Sequence, residues 1–292
     1  MEKKSLNFSA KDSGIAFSAM ILLYLVITLL GQAILLAVTE QGSALFVFVC
    51  SLFSLLALGV VIFYYAFNRK ISIKELCVVK KVNYKSIIAS VLLAFGMMFT
   101  FGIINTLFAD ALNEIGIKSN SINIPLDNFG LFILFSITFA LLPAIIEELF
   151  FRGLIVKGLS GAKALTVCLI SALTFALYHG SFAQLIYQFI YGVALFILFK
   201  AFGSIIPCMI AHFLINFVIL VLEYLKINVN LANPILIVLG ALSLVIFVAL
   251  CKNGIKTLKE KEQAQGDIKS FWLPFGLFGT CVCVVLMLSV LF

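Results

Sequence analysis

The chain has 292 residues, of which 63% are hydrophobic and 11% are charged, and its formal net charge is +7. An ordinary soluble domain carries about 25% charged residues, so a soluble fold of this composition would lack the polar surface that water requires. These values exclude a soluble globular protein and indicate a chain that resides in a lipid bilayer.

Long apolar segments follow one another along almost the whole chain. A membrane-spanning helix needs about 20 mainly apolar residues. Such segments lie at roughly 14–38, 44–67, 86–109, 129–151, 164–180, 182–200, 204–224, 232–251 and 271–292. They are continuously apolar, whereas the strands of a membrane β-barrel alternate apolar and polar residues over about ten positions. The sequence therefore predicts an all-α, polytopic transmembrane helical bundle of about nine spans.

We expect these segments to form a single membrane domain over residues 1–292. The first segment is longer than the roughly 7–15 apolar residues of a signal peptide, and further spans follow it directly, so we expect it to be retained. The 7 cysteines form no CxxC pair, which predicts neither a disulfide framework nor a cysteine metal site.

Basic residues are distributed unevenly among the links that join the segments. The second link contains Arg69, Lys70, Lys74, Lys80, Lys81 and Lys85, and the eighth contains Lys252, Lys256, Lys259, Lys261 and Lys269. The first and third links are neutral or acidic. By the positive-inside rule, we expect a multi-pass protein of the cell membrane whose N-terminus and even-numbered links are cytoplasmic. Anionic lipid headgroups explain the basic clusters, so no nucleic-acid partner is expected.

Two adjacent glutamates, Glu147 and Glu148, interrupt the fourth segment. A charge at mid-bilayer costs about 2.5–3.5 kcal/mol on insertion scales. Glu148 lies four residues before Arg152 on the same helix face, so the two side chains are expected to pair. Glu147 points about 100° away and lacks this partner. A desolvated carboxylate without a cation is a candidate general base; the alternative is that both glutamates merely approach the headgroups at a helix end.

The 2 histidines of the chain both follow the paired acids. His179 ends the sequence Phe175-Ala-Leu-Tyr-His, and His212 lies four residues before Asn216, which places these two side chains on one helix face. A helical hairpin centred near residue 163 would bring Glu147 and His179 to the same depth, about 24 Å from its tip. A lone histidine in an apolar helix is usually a core residue, and that alternative remains open here.

The ordered set Glu-Glu-x-x-x-Arg, Phe-x-x-x-His and His-x-x-x-Asn, on successive membrane helices, resembles the CAAX-protease and bacteriocin-processing (CPBP, or Abi) family of intramembrane endopeptidases. The motifs cover residues 147–216 within an expected catalytic core at about 129–224. The resemblance implies that Glu147, with His179, activates a water molecule for attack on a peptide carbonyl. It also implies that His212 and Asn216 stabilise the oxyanion. Glu148 and Arg152 match the remaining motif positions, and we interpret them as a supporting ion pair.

The expected partners are the lipid bilayer and a peptide or protein substrate, membrane-associated substrates included. No cofactor is expected, but members of this family are often labelled metalloproteases. Zinc therefore remains an alternative, because two histidines and one glutamate can form a catalytic zinc site. A proton-coupled transporter, in which intramembrane acids and histidines relay protons, is the alternative from another class. A catalytically silent scaffold is a further alternative.

Overall fold

The structure is a computed structural model that describes residues 8–68, 72–78, 82–117, 123–259 and 268–288. Part of the charge pattern used for the expected orientation lies outside the described residues. Of the two basic clusters, these positions are Arg69, Lys70, Lys80, Lys81 and Lys261.

All regular structure in the described ranges is helical. The long helices are α1 (Ala10–Leu36), α2 (Ala44–Asn68), α3 (Tyr84–Glu114), α4 (Phe129–Gly158), α5 (Ala164–Tyr178), α6 (Phe182–Phe202), α7 (Ile206–Tyr224), α8 (Pro234–Leu250), α9 (Lys252–Lys259) and α10 (Lys269–Leu288). One short helix, Ile73–Cys77, follows α2. The all-α bundle that the apolar segments predict is therefore confirmed.

Polar residues at the N-terminal ends define where several helices begin. Ser9 and Asp12 form a reciprocal capping box at the start of α1, in which each side chain accepts from the other residue's backbone N–H. Asn128 accepts from the backbone N–H of Leu131 at the start of α4. Such caps satisfy backbone donors that have no partner within the helix. The interruptions between the long apolar segments are thus specified locally.

Seven of the described helices are long and apolar enough to cross a membrane, and α8 with α9 would be an eighth span bent by 66°. Helix α5, the remaining segment of the nine, has 15 residues and is therefore about 22 Å long. The hydrocarbon core is about 30 Å thick, so α5 is short for a full span. Many large apolar side chains face outward, such as Leu29, Phe63 and Val245. The chain is accordingly a multi-pass membrane protein.

Helix α4 contains two π-helical segments, Ser136–Leu141 and Leu149–Ile155, on either side of the paired glutamates. π-Helical segments shift the register of the side chains that follow them and frequently occur at functional sites. Helices α5 and α6 form a close antiparallel hairpin beside α4. At Gly192 of α6, a Cβ atom would lie 2.9 Å from the backbone of Ala172. The absence of a side chain at this position therefore permits the close packing of the hairpin.

Candidate active site

Glu148 and Arg152 form the ion pair that their spacing predicts. The Arg152 Nη1 atom lies 2.9 Å from Glu148 Oε1, and both side chains are fully buried. The Nη2 atom of Arg152 donates to the backbone carbonyl of Gly192 at 3.3 Å. Its guanidinium also lies 4.5 Å from the centre of the Phe175 ring, a distance at which a desolvated cation is attracted to the ring face. Arg152 thus joins α4 to both helices of the α5–α6 hairpin.

His212 of α7 approaches both glutamates. Its Nδ1 atom lies 3.0 Å from Glu148 Oε1, within hydrogen-bond distance. Its Nε2 atom lies 3.9 Å from Glu147 Oε2. A carboxylate can only accept, so Nδ1 carries the donated proton and the orientation of the ring is fixed. Glu148 therefore supports Arg152 and His212 at once, which the helix spacing alone does not reveal.

Glu147 lines a large cavity, whereas Glu148 and Arg152, which form the ion pair, do not line it. The Tyr178 hydroxyl donates to Glu147 Oε1 at 3.4 Å. The Oε2 atom of Glu147 has no hydrogen-bond partner among the described residues. One carboxylate oxygen is thus held in position, while the other is a buried acceptor without a described partner. The sequence analysis missed Tyr178, whose one signal is its position next to His179.

His179 follows the last residue of α5 and also lines the cavity. Its Nδ1 atom lies 2.8 Å from the carbonyl oxygen of Phe175, which can only accept. Nδ1 is therefore the protonated nitrogen in the neutral ring, and Nε2 is left as an acceptor. The α4–α5 hairpin brings His179 and Glu147 to the same cavity, as its length predicts.

Asn216 lines the cavity one helical turn after His212. Its Nδ2 atom donates to the carbonyl of Phe139 in the first π-helical segment of α4, at 3.2 Å. An amide group carries two N–H donors, so the second remains for a ligand. The motif positions that face the cavity are therefore Glu147, His179, His212 and Asn216.

The cavity has a volume of about 870 Å³, within the range of about 300–1,000 Å³ that is typical of ligand sites. Further polar side chains that the sequence analysis did not single out lie along its wall. They include Thr28, Gln32, Ser51, Ser54, Asn105, Thr106, Thr138, Gln184, Gln188 and Glu223. Together with the apolar residues of the lining, these polar groups can accommodate the main chain of a peptide.

The arrangement does not fit the alternative of a zinc site. Within the described ranges, no group of three His, Cys, Asp or Glu side chains is placed to hold one metal ion. Asn216, which shares the helix face of His212, is a donor rather than a typical zinc ligand. We therefore derive no catalytic step through a metal.

Residues 129–218 match the family model of the Rce1-like type II CAAX prenyl endopeptidases. No curated protein and no solved structure matches the chain. The matched segment extends from the start of α4 into α7 and contains every residue of the three motifs. It confirms the resemblance of this segment to the CPBP family of CAAX proteases.

Proposed function

We propose that the chain is an intramembrane endopeptidase that hydrolyses a peptide bond with a water molecule activated by Glu147. The family match supports this class of reaction. The position of Glu147 carries the assignment of the base, because it is the member of the acid pair that lines the cavity. Its Oε2 atom is a buried acceptor without a described partner, and a water molecule that enters beside it can donate to it. The substrate is a peptide or protein that reaches the membrane.

In the proposed reaction, a water molecule hydrogen-bonds to Glu147 and His179. Glu147 accepts a proton as the water oxygen bonds to the carbonyl carbon of the substrate. The Nε2 acceptor of His179 holds the other hydrogen of the water. Glu147 then returns its proton to the amide nitrogen as the C–N bond breaks. Atoms and charge balance over these steps, and no covalent intermediate with the protein is required.

The tetrahedral intermediate carries a negatively charged oxygen, for which His212 and Asn216 are suitable donors. Asn216 and His212 belong to the same cavity wall. The second N–H of the Asn216 amide can donate to this oxygen, and so can His212 Nε2 when both ring nitrogens carry a proton. Donors already fixed in position contribute about 2.7–4 kcal/mol at such an oxygen. Glu148 and Arg152 remain behind this wall as positioning residues, because they hold the His212 ring rather than touch the substrate.

The substitution Glu147→Gln tests the proposal with little change in shape. The amide retains an acceptor for the Tyr178 hydroxyl but no longer takes a proton from water. New protein N-termini would be measured by mass spectrometry in membranes of cells that carry wild type, Glu147→Gln or the matched control Glu114→Gln. Glu114 is exposed at the end of α3. Wild type and the control should share a set of cleavage products that Glu147→Gln lacks.

The conclusion also requires that the two variants accumulate and fold alike, which a melting curve of each purified protein establishes. A folded Glu147→Gln protein that generates the same products as wild type would remove Glu147 as the base. Identical products in cells without the protein would refute the endopeptidase function itself.

A further inference from the structure

The lining of the cavity comes mainly from one end of each long helix. Helices α1, α3, α5 and α7 contribute residues toward their C-terminal ends, and α2, α4 and α6 contribute residues toward their N-terminal ends. Because successive helices alternate in direction, these ends lie on the same side of the bundle. The lining continues into the third link at Ile124 and the seventh at Ile227, Val229 and Leu231, whereas no described residue of an even-numbered link contributes. The cavity therefore opens toward the odd-numbered links.

Most basic residues of the sequence belong to the even-numbered links, to the helix ends that adjoin them, or to the segment before α1. Of the 20 lysines and arginines, only Lys118 and Lys226 belong to the odd-numbered links. Those links and the adjoining helix ends are acidic overall, because they carry Glu40, Asp110, Glu114, Asp127 and Glu223 against these two lysines. Lysine and arginine near the ends of spans are retained in the cytoplasm. The charge pattern and the position of the cavity are independent observations, and together they orient the active site.

We propose that the active site opens to the extracytoplasmic face of the membrane. Its substrate, under the proposed endopeptidase function, is then an extracytoplasmic segment of a membrane-bound polypeptide. A peptide enters the cavity between the odd-numbered links and reaches Glu147 partway through the membrane. Cytoplasmic chains have no access from the basic side, where Phe150, Phe151, Leu154 and Ile155 of α4 are fully buried.

Cysteine labelling in oriented membrane vesicles tests this access without any need for a known substrate. Three full-length variants each carry one new cysteine. Glu40→Cys marks the odd-numbered links, Lys163→Cys marks the even-numbered links, and Gln188→Cys marks the cavity. Each would be treated with a membrane-impermeant methanethiosulfonate reagent, with wild type as the background for the native cysteines. In right-side-out vesicles, Glu40→Cys and Gln188→Cys should be labelled, and Lys163→Cys should be labelled only in inside-out vesicles.

The reverse pattern for Glu40→Cys and Lys163→Cys would overturn the orientation. Labelling of Gln188→Cys only from the side of Lys163→Cys, or from neither side, would overturn the opening of the cavity. These readouts do not depend on proteolysis, so failure of this inference and failure of the proposed function remain distinguishable.

A second observation concerns the chemistry of the substrate. His212, Asn216, Ile219 and Glu223 follow one another at spacings of four, three and four residues, form one face of α7 and all line the cavity. Glu223 lies about 16 Å along the helix from His212, at 1.5 Å per residue. It is exposed at the open end, and the described lining contains Glu147 and Glu223 but no lysine, arginine or aspartate. An extended peptide covers this distance in about five residues.

We infer that Glu223 selects, under the same proposed function, a peptide with a lysine or arginine about five residues from the scissile bond. An opposite charge at the open end of the cavity is attracted to its carboxylate. Among the described residues that line the cavity, none is a lysine or an arginine that would attract an acidic side chain instead. Glu223 is therefore a specificity-determining residue.

A mass-encoded set of apolar dodecapeptides, each with one lysine, glutamine or glutamate at a scanned position, measures this selection. Wild type and Glu114→Gln should cleave the lysine peptides up to about fivefold faster than the glutamine peptides at one position, as expected for a partly exposed ion pair. Glu223→Gln should reduce this ratio to about one, and Glu223→Lys should favour glutamate. An unchanged ratio in both variants, or equal cleavage of all peptides by wild type, would overturn the role of Glu223. If wild type cleaves none, the proposed function fails together with this inference.

Discussion

The fully buried ion pair between Glu148 and Arg152 provides the sharpest test of the site's architecture. Arg152→Met removes the cation while it retains much of the side-chain volume. Glu148 then keeps one contact, from its Oε1 atom to His212 Nδ1, because its Oε2 atom has no partner among the described residues. The variant also loses the bond to the Gly192 carbonyl and the contact with the Phe175 ring. A buried carboxylate thus remains without its main counter-charge.

Removal of one partner of a buried pair costs about 3–5 kcal/mol. For domains of 150–250 residues, 1 kcal/mol shifts Tm by about 2–4 °C, so Arg152→Met should lower the Tm by at least about 6 °C. The double variant Glu148→Gln/Arg152→Met removes both charges. Its loss of unfolding free energy should be smaller than the summed losses of the two single variants by about 0.5–3 kcal/mol, as for contacting residues elsewhere.

Thermal unfolding of the four proteins in one detergent, followed by circular dichroism, measures these differences as a double-mutant cycle. The expected result is a large loss for Arg152→Met and partial recovery in the double variant. Additive effects of the two substitutions would refute the pairing. An unchanged melting temperature of Arg152→Met would show that the charge is not buried.

Three further predictions concern catalysis. Tyr178→Phe removes the hydroxyl that lies 3.4 Å from Glu147 Oε1, and we expect a lower kcat with an unchanged KM; a normal kcat would show that the contact does not position the base. Asn216→Ala should reduce kcat by about 10²–10³ with little effect on substrate binding, and a change in KM alone would contradict the oxyanion role. Protein shown by elemental analysis to be metal-free should retain full turnover, whereas activity restored by stoichiometric zinc would refute the metal-free mechanism.

The sequence by itself specified the membrane helices and the ion pair between Glu148 and Arg152 within one of them. Continuous apolar segments predict spanning helices because the bilayer core leaves backbone groups no partner outside the helix. Glu148 and Arg152 lie four residues apart, so the periodicity of the helix is sufficient to predict their contact. The apolar segment 164–180 also located α5 to within two residues of Ala164–Tyr178. The sequence analysis counted this segment as a full span, for which the 15-residue helix is short.

Only the tertiary structure decided which side chains from different helices meet. The contact of His212 with Glu148 joins residues 64 positions apart, and that of Tyr178 with Glu147 joins residues 31 apart. Such contacts depend on how α4, α5 and α7 pack, including the register of the two π-helical segments in α4, and no local periodicity encodes this register. The packing of these helices also decides that Glu147 faces the cavity while Glu148 is enclosed. The sequence determined which residues could react, and the packing of the helices determined which of them a substrate can reach.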